Sequence, residues 1–295
     1  MLTYFRAIVI GLLQGVTELF PVSSLGHSVL VPAWVGWKDL VTAQSADESF
    51  YLAFVVALHV ATAIALLVYF RDDWVRIIAG FFRTLGKRRI DTPDERMAWL
   101  LVVATIPAGL TGVVFEHVLR VIFAKPLAAA LFLTFNGLIL LWGERVRRLS
   151  AVRRVARAHG TKADEPDVRR LDTLDFKEAG AVGVAQVGAL FAGISRSGIT
   201  MVAGLVRGLD HEDAARFSFL LATPIIFAAG VYKIPDLFGP LGSGIRAQAV
   251  VGSIFAGAAA YVSVRFLLRF FRTNTLVPFA VYCLVGGVIS IVRFI

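Results

Sequence analysis

Residues 7–37 read AIVIGLLQGVTELFPVSSLGHSVLVPAWVGW, and the break in the middle of this stretch decides the fold. It is long enough for a membrane-spanning helix, which needs about 20 mostly apolar residues, and Glu18 is its only Asp, Glu, Lys or Arg. Yet Pro21, Ser23, Ser24 and Gly26 interrupt it near the centre. Broken backbone at membrane depth survives only where protein or a polar cavity satisfies its hydrogen bonds, so the stretch predicts a re-entrant hairpin of two half-helices. Residues 179–206 repeat the pattern. They carry only Arg196, and are broken at AGISRSGIT, residues 192–200.

Around these two hairpins lie six stretches free of Asp, Glu, Lys and Arg: Ser49 to Phe70, Met97 to Phe115, Pro126 to Gly143, Phe217 to Tyr232, Ala247 to Val264 and Thr273 to Val292. Most approach the length of a spanning helix. With 57% hydrophobic and 17% charged residues in 295, against roughly 25% charged in soluble chains, a water-soluble globule is excluded. The sequence predicts an all-α integral membrane protein with six transmembrane helices and two re-entrant hairpins.

The net charge of +9 would suit nucleic acid or anionic lipid, and its placement decides between them. The stretches 71–96, 144–178, 207–216 and 265–272 read as loops and hold 7, 10, 2 and 3 of the 30 Lys and Arg. The positive-inside rule makes these segments cytoplasmic. The Arg-rich segment 144–178, with Pro166 in it, then reads as a polar loop on anionic lipid, and no nucleic-acid partner is expected. It joins two membrane repeats, 1–143 and 179–295, each a hairpin (7–37, 179–206) followed by three spans. The two have opposite orientation, and both termini lie outside. An offset of 172 pairs Gly11 with Gly183, Gln14 with Gln186, Val22 with Ile194, Ser23 with Ser195, Gly26 with Gly198 and Ser28 with Thr200, as an inverted-topology repeat requires. The first apolar run lacks an A-x-A site and reads as mature protein. Cys283 is the sole cysteine, which excludes an internal disulfide and a cysteine metal cluster.

Glu18 and Arg196 are the only charges deep in apolar segments, and an intramembrane ion is costly and functional by default. They could pair merely to hold the hairpins together, but their polar neighbours exceed what a salt bridge requires. Gln14 and Glu18 lie four apart, on one helical face, where oxygen ligands suit Mg2+ or Ca2+ completed by water and phosphate. Ser23, Ser24 and His27 put two hydroxyls and an imidazole in one bend, with His27 in sequence reach of acting as base for Ser24. The alternative is a capping role for the serines and a core role for the histidine. In the second hairpin Ser195, Arg196, Ser197, Gly198 and Thr200 describe a phosphate cradle: glycine for close approach, half-helix amides, hydroxyl donors and a guanidinium fork. His117, His159 and His211 read as solvated residues.

These motifs resemble those of the bacterial undecaprenyl-diphosphate phosphatase family of the bacitracin-resistance type. GLLQGVTELFPVSSLGH matches its (E/Q)xxxE and PVSSxGH region and AGISRSGIT its PGxSRSGxT motif. FSFLLATP (217–224), IPAGLTG (106–112) and PFAVY (278–282) extend the likeness over essentially the whole chain. The resemblance implies an inner-membrane enzyme that hydrolyses undecaprenyl diphosphate to undecaprenyl phosphate and inorganic phosphate, recycling the lipid carrier of cell-wall synthesis, with its site open to the outer face. It implies Gln14 and Glu18 at a divalent cation, Ser24 and His27 as catalytic hydroxyl and imidazole, and Ser195, Arg196, Ser197 and Thr200 as the diphosphate clamp. Gln14 removes one negative ligand, Ala192 replaces the usual Pro, and His59 stands where the family usually has Gln. The rival reading is a polyprenyl-phosphate translocase, since inverted repeats around a midplane site suit alternating access. The attacking group, the metal and the oligomeric state stay open.

Overall fold

The computed structural model of the protein describes residues 2–44, 49–123, 125–158 and 169–295, the side chains of 116–123 and 151–158 excepted. His117, His159 and Pro166 lie outside what it describes. Among the described residues there are thirteen α-helices and no β-strand: α1 (Tyr4–Thr17), α2 (Ser24–Trp34), α3 (Lys38–Gln44), α4 (Phe50–Tyr69), α5 (Arg71–Lys87), α6 (Pro93–Phe123), α7 (Pro126–Ala158), α8 (Phe176–Val187), α9 (Arg196–Val206), α10 (His211–Lys233), α11 (Pro235–Phe238), α12 (Arg246–Phe270) and α13 (Val277–Phe294). Six apolar helices are long enough to cross a bilayer: Phe50–Tyr69, Pro93–Phe115, Pro126–Ser150, His211–Phe238, Arg246–Phe270 and Val277–Phe294. They carry exposed Leu110, Val113, Val262, Val288 and Val292, and an apolar surface of this kind needs lipid around it. The protein is therefore an all-α membrane protein with six spans.

The two interrupted stretches fold as pairs of short helices. At 1.5 Å per residue, α1 is about 21 Å long and α2 and α9 about 17 Å, all short of the roughly 30 Å hydrocarbon core. The breaks fall where the sequence places them. Thr17 ends α1, Pro21 lies in the turn, and Ser23 caps α2 by accepting from the Gly26 amide at 3.1 Å. In the second pair Ser195 caps α9 by accepting from the Gly198 amide at 3.1 Å. Both bounds of α9 are those of α2 displaced by 172 residues.

The paired glycines Gly11 and Gly183 also do equivalent work. A Cβ on Gly11 would collide with the carbonyl oxygen of Gly252 on α12, and one on Gly183 with that of Ala104 on α6. The first helix of each pair thus lies directly on the middle span of the other half. The same two positions of the interrupted stretches make the same kind of contact.

Three expectations need correcting. Segment 71–96 is largely the helix α5, whose Trp74, Ile77 and Phe81 pack inward while Val75, Ile78, Phe82 and Leu85 are exposed. Together these make one broad apolar face opposite Asp72, Arg76 and Arg83, which suits a helix lying in the membrane interface. The segment expected to leave the membrane as a loop at Glu144 instead continues α7 to Ala158, because no helix-stopping residue follows Gly143. His211 is not solvated. It is 5% exposed, stacks on Phe271, and its Nε2 lies 2.6 Å from Glu144 Oε1, which also accepts from the Leu276 amide at 2.7 Å. It is the first residue of α10 and is covered where α10 meets Glu144 of α7 and Phe271.

Candidate active site

The site is made where the two breaks touch. A Cβ on Gly26 would lie 2.9 Å from the Gly193 Cα, and Gly193, at φ +116, has no room for a Cβ against the Ala129 carbonyl. Ser23 sits at φ +71, a region a side chain seldom adopts. Its hydroxyl oxygen accepts from the amides of both Gly26 and Gly193, at 3.1 Å each, which ties the first hairpin to the second. Asn136, fully buried on α7, spans the same junction. Its Nδ2 donates to the Pro21 carbonyl at 2.9 Å and its Oδ1 accepts from the Ser195 amide at 3.0 Å. Ser197 adds a donation to the Phe20 carbonyl at 3.1 Å.

Glu18 lies at the centre, buried and surrounded by donors. Its Oε1 accepts from Arg196 Nη2 at 2.5 Å. Its Oε2 accepts from Ser24 Oγ at 2.5 Å and from Gln14 Nε2 at 2.9 Å, with His59 Nε2 at 3.2 Å. A buried carboxylate is stable only when charge and hydrogen bonds meet it, and here two helices of one hairpin, the other hairpin and α4 supply them. Arg196 keeps Nη1 buried and without a partner. Ser24 and Arg196 are the first residues of α2 and α9, so two positive helix ends meet at one point. Beside them is a cavity of about 440 Å³ whose lining includes Glu18, Ser23, Ser24, His59, Ser195 and Arg196.

Among the residues singled out from the sequence, the structure thus gathers Gln14, Glu18, Ser23, Ser24, Ser195 and Arg196. Ser197, Gly198 and Thr200 stand differently, because their polar groups are used inside the protein. The Gly198 amide serves the Ser195 cap, and the Thr200 hydroxyl donates to the Arg196 carbonyl at 2.8 Å and meets Ser218 Oγ at 2.6 Å. His27 turns away from Ser24. Its Nδ1 contacts the Ser23 carbonyl at 2.7 Å and its Nε2 the Tyr282 hydroxyl at 2.7 Å, so the acceptor for Ser24 is Glu18. Asn136 and His59 went unpredicted as site residues. Both were signalled only as lone polar groups in otherwise apolar spans.

A divalent cation on Gln14 and Glu18 finds a poor donor set. Among the described residues Glu18 is the one carboxylate lining the cavity, and its oxygens already face a guanidinium, an amide, a hydroxyl and an imidazole. Among the described residues no three His, Cys, Asp or Glu are placed to hold a metal. Mg2+ and Ca2+ want several oxygen ligands with charge. These residues alone do not fit a resident cation.

The chain is 58% identical over 300 residues to the undecaprenyl-diphosphatase of Mycolicibacterium paratuberculosis, covering 99% of this chain and 97% of the relative. It is 54% identical over 337 residues to undecaprenyl-diphosphatase 2 of Frankia alni, at 99% and 98% coverage. Identity to undecaprenyl-diphosphatase 2 of Chromobacterium violaceum is 43% over 292 residues, at 97% of each. Residues 7–289 match the model of the bacitracin resistance protein BacA, and the chain belongs to that family.

Proposed function

We propose that the protein is a membrane phosphatase that hydrolyses undecaprenyl diphosphate to undecaprenyl phosphate and inorganic phosphate, and so returns the carrier lipid to cell-wall synthesis. The observation that carries this reading is the contact between Ser24 Oγ and Glu18 Oε2 at 2.5 Å, next to a guanidinium with one free nitrogen. A binding or transport site needs the cation but not a hydroxyl paired with a proton acceptor.

The chemistry follows from these groups. Arg196 Nη1 and the amides at the starts of α2 and α9 hold the phosphoryl oxygens, where negative charge develops during transfer. Glu18 takes the Ser24 proton as the Ser24 oxygen bonds to the terminal phosphorus, and the bond from that phosphorus to the bridging oxygen breaks, releasing undecaprenyl phosphate. Glu18 hands that proton to the departing lipid phosphate; water then attacks the phosphoserine and gives a proton to Glu18, the P–O bond to Ser24 breaks, and Glu18 returns the proton to the Ser24 oxygen, giving inorganic phosphate and restoring the hydroxyl. His59 and Arg196 flank Glu18 from two sides and keep it aimed at Ser24. His27, fixed to the Ser23 carbonyl and Tyr282, sets the strained bend that presents Ser24.

The orientation supports an outward-facing site in the bacterial plasma membrane. Residues lining the cavity include Leu52 near the start of α4, Val113 on α6 and Lys233 at the end of α10, and the Lys/Arg count puts each of these span ends outside. The test is phosphate release from undecaprenyl diphosphate by purified protein. Ser24→Ala and Glu18→Gln should each lower kcat about 100-fold or more. Wild-type rates in both variants would remove the assignment, and lipid movement across sealed vesicles without any hydrolysis by the wild type would favour a translocase.

A further inference from the structure

The cavity beside Glu18 is lined mostly by apolar side chains. Beyond Arg196 and Ser24 its walls are Ala108, Gly109, Gly112 and Val113 of α6 facing Ala228 and Ala229 of α10. Glycine weakens a helix interior, so two in one face of α6 require a reason. Packing does not supply one. A Cβ on Gly109 would meet nothing within 4 Å, and one on Gly112 would make only an ordinary 3.7 Å contact with Leu190. Gly11, by contrast, has a backbone carbonyl directly against it. The room left by Gly109 and Gly112 belongs to the cavity.

That cavity reaches the lipid-facing surface. Val113 and Tyr232, which line it, are 73% and 63% exposed. Where it meets Glu18, Arg196 keeps a buried Nη1 that lacks an acceptor, which an anionic head group supplies. A ligand that satisfies both ends is an amphiphile with a phosphorylated head and a long hydrocarbon body. A larger groove of about 550 Å³, between α4 and α12, contains neither Glu18 nor Arg196.

We propose that Gly109 and Gly112 keep open a passage between α6 and α10 that seats the prenyl chain of the substrate, making these glycines determinants of chain-length selectivity. This rests on the phosphatase reading and adds where the chain lies. In the bilayer the passage takes the tail laterally from lipid, so the head need not be lifted into water to reach Arg196.

The experiment compares wild type with Gly109→Phe, and with Ala229→Leu on the facing helix, on two substrates: undecaprenyl diphosphate and dimethylallyl diphosphate. For the long substrate kcat/KM should fall about tenfold or more, mainly through KM, while the short one stays within about twofold of wild type. Equal losses on both substrates, or no loss on either, overturn the passage. Ala229→Leu gives the same reading should Gly109→Phe fail to fold. A wild type that releases phosphate from neither substrate defeats the phosphatase reading instead, which keeps the two failures apart.

Discussion

Glu18 shows how one residue can be conspicuous in sequence while its partners are not. A carboxylate and a guanidinium in otherwise apolar stretches stand out, and their contact at 2.5 Å joins hairpins separated by 178 positions. His59 and Asn136 were not legible in the same way, because which face of a span meets a hairpin depends on packing that no local spacing encodes. The orientation of His27 was hidden for a similar reason: sequence reach permits a bond to Ser24, but the ring is held by Ser23 and by Tyr282 from the far end of the chain. The poor donor set for a cation also belongs to this scale. Gln14→Glu would place a second carboxylate on the face of Glu18, and with it the charge that a hard cation needs. Its phosphate release should rise with added Mg2+ or Ca2+ and fall in chelator more steeply than that of wild type. Equal cation dependence of the two proteins would mean that Gln14 is no part of any cation site.

Elements were legible where the chain breaks and less so where it continues. Pro21, Ser23 and Gly26 in one stretch and Gly193 and Ser195 in the other mark the two bends at the right residues, since capping and backbone sterics act locally. The extension of α7 past Gly143 and the helix α5 were missed because charge was read as loop, though Lys and Arg are good helix formers. The bends should also be where stability is concentrated. Gly193→Ala would force a Cβ into the Ala129 carbonyl at φ +116 and separate the Gly193 amide from Ser23. A strained φ costs about 1–3 kcal/mol, with the lost contact added to it. The variant in detergent should unfold several degrees lower than wild type and should lose phosphate release even well below its melting temperature. Unchanged melting and activity would show that the bends do not depend on each other.

At the scale of the whole molecule, the expectation of two repeats of opposite sense rests on a long-range property, the distribution of Lys and Arg, which sequence reports directly because the bilayer is the same for every residue. The proposed function depends on that sense, because in the proposed arrangement the site is reached from the outer ends of α4, α6 and α10. The lone thiol of Cys283 is buried, so an introduced cysteine reports its own exposure with little background. Lys38, after the first hairpin, and Lys87, at the end of α5, are both exposed and fall on opposite sides of the membrane in this arrangement. In intact cells a membrane-impermeant maleimide should label Lys38→Cys, and should reach Lys87→Cys only after permeabilisation. In sealed vesicles of the same orientation, phosphate should then be released on the Lys38 side. Labelling in the reverse order would invert the molecule and place the site on the cytoplasmic face; labelling of both in intact cells would mean that the segment bearing Lys87 is not inside, and the two halves would not be inverted.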